Sequence, residues 1–131
     1  MKASFDINTA SFSLVTAKLH RKKNDAIFAG KKVVHDTAEL VFAESQIRIL
    51  RKTGALARSG KVVNQDTNYT AISIIGYGDS SINPATGKTT ASYAVEQHES
   101  PHNGKWLENS VLDCTSIYKE ELYTQISKAL S

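Results

Sequence analysis

The stretch DAIFAGKKVVHDTAELVFAESQIRILR, residues 25–51, decides how this chain folds. Two stripes recur along it with a seven-residue period: Ile27, Val34 and Val41 form the first, and Phe28, His35, Phe42 and Ile49 form the second. This spacing predicts a long helix, on whose polar side Lys32 and Asp36 are placed to form an i,i+4 ion pair. The apolar arc is wider than one packing partner requires. We therefore expect the helix to cover its own sheet and to offer the second stripe to a neighbouring subunit.

The residues before this helix predict two weaker elements. ASFDI, residues 3–7, alternates weakly between apolar and polar residues and indicates a short strand. Asn8 or Thr9 can cap a helical segment over residues 9–23, in which apolar residues stand at helical spacing. Asn24 is typical of a second cap, so we expect a new helix to begin there.

The residues after the long helix predict a turn, a hairpin, a loop, a strand and a last helix. The turn is KTGALARSG, residues 52–60, with Leu56 held against the core, and the hairpin uses residues 61–63 and 68–78. Residues 79–90 indicate a long exposed loop, and residues 91–99 alternate as a strand does. A final helix over residues 105–130 places Cys114 on its apolar side, as a small core residue. The order of elements predicts an α+β fold.

Composition bounds the class of protein. The chain has 131 residues, 40% hydrophobic and 22% charged, which is ordinary for one globular domain over residues 1–131. No apolar run approaches the roughly 20 residues of a membrane span, and a single cysteine excludes an internal disulfide. We expect a protein that is made and kept in cytoplasm. The net charge of +3 includes the cluster HRKK, in which Arg21, Lys22 and Lys23 could contact DNA phosphates or simply face solvent.

The stretch HESPH, residues 98–102, fits the zinc-protease pattern H-E-x-x-H. That pattern needs a helix, and Pro101 disfavours helical geometry at the residue before it. Three interpretations of His98, Glu99 and His102 stay open: a structural turn, a pH-sensitive pair at a subunit interface, and a metal site. We find no serine in a nucleophile elbow and no phosphate-binding glycine loop. We favour the structural turn among the three, and we therefore expect no enzyme activity, no cofactor and no metal.

Four short motifs follow one another after the long helix. They are Thr53-Gly54-Ala55-Leu56 with Ser59, Tyr93-Ala94 before His98-Glu99, His102 with Gly104, and Lys105-Trp106-Leu107-Glu108. In this order and spacing they resemble a family of tailed-bacteriophage virion proteins, described as head–tail joining, neck, tail-completion or minor capsid proteins. Many members have a proline and an acidic residue before the first motif, where this chain has Leu50-Arg51-Lys52.

The resemblance implies a structural protein of the virion. Members act as closed rings around the DNA channel, so the resemblance implies a homo-oligomer, with six subunits by analogy to tail symmetry. Its partners would be the neighbouring neck or adaptor proteins and the tail proteins. Trp106 and Leu107 would anchor the last helix, and loop 79–90 could reach an adjacent ring. Three alternatives stay open: a tail terminator, a small basic DNA-binding module with non-specific contacts to DNA, and a zinc hydrolase.

Overall fold

The fold is described for residues 9–49, 54–80, 82, 87–101 and 104–131 in a computed structural model. Its elements are α1 (Thr9–Arg48), α2 (Ala55–Arg58), β1 (Lys61–Asn64), β2 (Ser73–Gly76), α3 (Thr90–His98) and α4 (Trp106–Leu130). The predicted α+β class is confirmed, with a long helix, a two-stranded antiparallel sheet and a C-terminal helix. Among the described helices none has the length and apolarity to cross a membrane.

Helix α1 is one unbroken rod of 40 residues, about 60 Å long. The predicted break at Asn24 is therefore wrong. Asparagine inside a helix costs only a fraction of a kcal/mol relative to alanine, and neither glycine nor proline accompanies it. The helix begins at Thr9, one of the two predicted cap positions, and the predicted strand over residues 3–7 lies outside the described residues.

Helix α4 packs antiparallel against the second half of α1. Arg48, at the end of α1, contacts Asp113 near the start of α4. At the other end, a Cβ atom placed on Gly30 would lie 3.7 Å from Ile126 Cδ1. Because α4 ends at Leu130, the earlier turns of α1 project beyond it. We call residues 13–23 the overhang.

The two strands form a hairpin along another side of α1. Val62 pairs with Ile75 and Val63 with Ile74, which confirms the predicted hairpin. The predicted loop follows β2, and Ile82 and Thr89 form an isolated bridge across it, while residues 81 and 83–86 lie outside the described part. Both strands carry consecutive apolar residues, so both faces of this sheet are apolar.

The predicted strand over residues 91–99 is wrong, because this segment is helix α3. Thr89 caps it, its side-chain oxygen accepting a hydrogen bond from the Ser92 backbone at 3.3 Å. The buried residues Thr90, Ala94 and Gln97 then recur at helical spacing. A short apolar segment can fit either period, and here the capping threonine favours the helix.

The main core cluster lies where the ends of four helices meet. Its buried members are Ile49, Leu56, Ala57, Ala94 and Trp106. Tyr77, Tyr93 and Leu107 pack against it. The predicted roles of Leu56 and Trp106 in the core are confirmed.

Candidate functional site

The motif residues come together in space although they are far apart in sequence. Leu56, Tyr93, Trp106 and Leu107 all belong to or contact the core cluster. Gly54 opens α2 with φ of 78°, a left-handed conformation that favours glycine. Thr53 lies outside the described residues. The first, second and fourth motifs therefore build one packing unit at one end of α1.

Tyr77 links this unit to α1 and was not identified from the sequence. Its ring lies edge-on to Trp106, with centroids 4.8 Å apart, and stacks on Phe42 at 5.9 Å. Its hydroxyl is 2.6 Å from the Oγ atom of fully buried Ser45, and Gln46 donates to it at 3.1 Å. Tyr77 thus satisfies buried polar groups of α1 while filling the core.

The first four residues of HESPH, residues 98–101, lie where α3 ends, ahead of α4. His98 is the last residue of α3, and its carbonyl accepts a hydrogen bond of 2.6 Å from the backbone of Lys105. Its ring lies edge-on to Trp106, with centroids 5.4 Å apart. His98 Nε2 accepts from the backbone of Glu108 at 3.4 Å, and Nδ1 lies 3.1 Å from a Glu99 carboxylate oxygen. Together these contacts need the neutral ring with its proton on Nδ1, so the histidine caps α4.

Glu99 and Lys105 form a solvent-exposed ion pair across this turn. Lys105 Nζ donates to Glu99 Oε2 at 2.5 Å. The hydrogen bond from Lys105, and then that from His98, holds the pKa of the Glu99 carboxyl below its ordinary value. The same carboxylate raises the pKa of the Lys105 ammonium. The pair therefore stays charged over a wide pH range and joins the two ends of the turn.

Gly104 makes the turn sterically possible. A Cβ atom at this position would lie 2.0 Å from the Ser100 carbonyl oxygen and 2.8 Å from that of His98. The next residue, Lys105, has φ of 57° and so takes a left-handed conformation before α4 begins. Thus the backbone of residues 104–105 lies directly against that of residues 98–100.

The interpretation of His98, Glu99 and His102 as a metal site can be compared with the contacts of the described residues. Both ring nitrogens of His98 lie in hydrogen-bonding contact with protein groups, and Glu99 is paired with Lys105. His102 lies outside the described residues. Within the described part of the chain, no three His, Cys, Asp or Glu side chains stand close enough to hold a metal ion. Cys114 is buried as predicted, and burial raises the pKa of its thiol.

The second stripe of α1 does not face a neighbouring subunit as a whole. Ile49 is only 4% exposed, inside the core cluster. Phe42 stacks on Tyr77, and His35 Nε2 lies 2.8 Å from Asp66 Oδ2, although its N–H is not aligned for a hydrogen bond. Of the four candidate interface residues, only Phe28 is exposed, at 71%. The stripe is mostly covered by the chain's own hairpin and core.

The basic cluster lies on and beside the overhang. Arg21 and Lys23 are exposed and Lys22 is half-buried. Lys23 Nζ lies 4.9 Å from the centre of the Tyr69 ring, in a cation–π contact with the loop between the strands. Leu14 and Leu19 are 72% and 62% exposed among these cations. The cluster is thus a mixed apolar and basic surface.

Exposed apolar side chains also line other surfaces. Leu40, Ile47 and Ile117 lie on one side of the α1–α4 pair, and Val63, Ile72 and Ile74 lie on one face of the hairpin. Sixteen large hydrophobic side chains are exposed among the described residues. Exposed apolar side chains that lie together in a patch are typical of contact surfaces.

No protein-family model, no curated protein and no solved structure matches this chain.

Proposed function

We propose that this chain is a structural virion protein of a tailed phage, forming a homo-oligomeric ring in the neck or tail-completion region between head connector and tail. The order of the four motifs supports the proposal, and so does the convergence of the first, second and fourth on one core. The protein would be made in the host cytoplasm and incorporated into the virion. A tail terminator would use the same fold and the same kind of ring.

The observation that carries the proposal is the large apolar surface that one copy leaves uncovered. Among the described residues, sixteen large hydrophobic side chains are exposed, including Leu40, Ile47 and Ile117 beside α4 and Leu14 and Leu19 on the overhang. Contiguous exposed apolar patches are typical of contact surfaces. A ring subunit has two neighbours and therefore needs two such surfaces.

Native mass spectrometry of the purified protein over a wide concentration range tests this proposal. We expect a closed homo-oligomer, a hexamer by analogy, which negative-stain electron microscopy should show as a ring. A protein that stays monomeric at every concentration, alone or mixed with extract of phage-infected cells, would contradict it.

A DNA-binding module is the second candidate function, because Arg21 and Lys23 are exposed and Asp25 is the only carboxylate within four residues of either along the sequence. It predicts binding of a short duplex that weakens steeply as salt is raised, since each phosphate contact releases counterions. An electrophoretic mobility series at increasing salt measures this. Weak binding without a steep salt dependence would leave the ring proposal as the better account.

A further inference from the structure

The overhang presents one side that combines an apolar residue with two cations. Leu14, Lys18 and Arg21 stand at i, i+4 and i+7, so they share one side of α1. Leu19 and Lys22 flank this side. Residues 9–24 contain four lysines or arginines and no carboxylate, and Asp25, one turn after Arg21, is the first acidic residue after them. The overhang is thus a cationic helix with exposed leucines.

The other half of α1 and α4 presents the complementary surface, which we call the acidic seam. Leu40 and Ile117 meet there in a shallow groove of about 210 Å³, which Asp36 and Glu121 also line. Glu44 and Ile47 continue the α1 side at i+4 and i+7 from Leu40, and Asp113 continues the α4 side one turn before Ile117. Ile47 is 78% exposed.

The charges of the acidic seam are only partly compensated within the chain. Lys32 pairs with Asp36, and Arg48 contacts Asp113. Glu121 is exposed, and Glu44 lies near Arg48, which already contacts Asp113. With four carboxylates against two cations, the surface keeps a negative excess. It therefore suits a cationic partner that also brings apolar side chains.

The overhang cannot reach the acidic seam of its own copy. The overhang and the α1 side of the seam belong to the same unbroken helix, and Leu19 and Leu40 are about 30 Å apart along its axis. A straight helix cannot fold back on itself, so a contact between the two surfaces joins two copies. Two copies could exchange these surfaces reciprocally as a dimer, whereas the proposed ring uses them head-to-tail, with each copy giving its overhang to one neighbour and its seam to the other.

We propose that the overhang of one copy docks on the acidic seam of a second copy. Lys18 and Arg21 then face Glu44 and Glu121, and Leu14 and Leu19 lie against the apolar residues Leu40, Ile47 and Ile117. This is a helix laid along a groove, with anchors at i, i+4 and i+7. The inference rests on the proposed ring function and names its interface. DNA phosphates would neutralise the same cations but would leave the leucines and the apolar residues of the seam uncovered.

Charge exchange tests the contact in the full-length protein. The first variant carries Lys18→Glu and Arg21→Glu, the second carries Glu44→Lys and Glu121→Lys, and the third combines all four. We expect each of the first two to weaken self-association at least about tenfold, because like charges then meet, and the third to restore it. Native mass spectrometry across a dilution series measures the dissociation constant, and circular dichroism checks that each variant folds.

A matched control changes the same number of charges elsewhere. Lys61→Glu with Lys119→Glu alters two exposed cations away from both surfaces and should leave self-association unchanged. A second variant, Leu14→Ser with Leu19→Ser, leaves every charge in place. We expect it to weaken self-association as well, which a purely electrostatic attraction to DNA does not predict.

The outcomes separate this inference from the proposed function. If the wild-type protein and the variant with Lys18→Glu and Arg21→Glu assemble equally well, the proposed overhang contact is wrong, but the ring proposal is unaffected. If the combined variant fails to regain assembly while folded, the pairing of these two surfaces is wrong. If the first variant loses only binding to a short DNA duplex, the overhang serves DNA. A wild-type protein that is monomeric at every concentration contradicts both proposals.

Discussion

The two ends of α1 differ sharply although they belong to one helix. At the C-terminal end, Ser45 is fully buried and Ile49 is 4% exposed, and both lie within or beside the core cluster. At the N-terminal end, Leu14 and Leu19 are exposed on the overhang. An isolated helix as short as the overhang is marginal in water, but here it continues a helix that packing has already formed. The packed end thus holds the projecting end in shape.

This difference means that one end of α1 determines the folding stability of the chain and the other end its proposed association with a second copy. The core end contains the motif residues, the aromatic contacts of Tyr77 and the turn between α3 and α4. The overhang contributes little to the folding of its own copy and presents charge and leucines to a partner. Substitutions at the two ends should therefore change different measured quantities.

The largest contrast is expected between Trp106→Ala and Leu19→Ala. Trp106 is buried, so its removal should lower the free energy of unfolding by about 3–5 kcal/mol. Leu19→Ala should change it by less than about 0.5 kcal/mol, because the side chain is exposed. Urea unfolding at the lowest practical protein concentration measures both. Equal losses for the two variants would show that the overhang also packs within its own copy.

Gly104→Ala should have the next largest effect. The added methyl group would overlap the carbonyl oxygens of Ser100 and His98, so the turn must open, at a cost of about 1–3 kcal/mol. Gly76→Ala is the matched control, because no atom lies within 4 Å of its added Cβ. Thermal unfolding compares the two. If Gly104→Ala is as stable as Gly76→Ala, the tight turn does not limit stability.

The periodic parts of the fold could be predicted from the sequence. The seven-residue recurrence over residues 25–51 predicts the second half of α1, and the apolar stripe over residues 105–130 predicts α4, because both helices bury one continuous side. The prediction of an α+β fold followed from these two helices and the hairpin between them. Helix α3 was missed because nine residues fit both periods, and the cap formed by Thr89 carried the deciding signal.

The candidate site was predictable only in part. The motif order identified Leu56, Trp106 and the HESPH turn, but the partners of His98 depend on how α3 and α4 meet. Tyr77 was missed because its role comes from Ser45, far away in sequence. The second stripe of α1 was assigned to a neighbouring subunit because the sequence shows the width of the apolar arc but not what covers it. In the structure the hairpin and the core cover most of this stripe.

The smallest expected effect is the pH dependence of the Glu99–Lys105 pair. The pKa of Glu99 is lower in the folded protein than its ordinary value of 4.5, so the pair stabilises the fold above that value and loses its effect as pH falls through the lowered pKa. The raised pKa of Lys105 keeps the ammonium charged up to and beyond its ordinary value of 10.5. Glu99→Gln should therefore lower Tm slightly near neutral pH. The difference from the wild-type protein should shrink in acid, as Glu99 becomes protonated in the wild type.

Lys88→Ala is the matched control for this measurement. It removes the exposed ion pair between Lys88 and Glu96, which does not join α3 to α4. Thermal unfolding followed by circular dichroism from acid to neutral pH compares the two variants. A difference between Glu99→Gln and wild type that stays constant over this range would show that the effect does not depend on the ionisation of Glu99. If the Tm difference disappears in acid, the effect of Glu99 comes from its negative charge, which Lys105 and His98 stabilise. The stability of the packed end of α1 then depends on this turn.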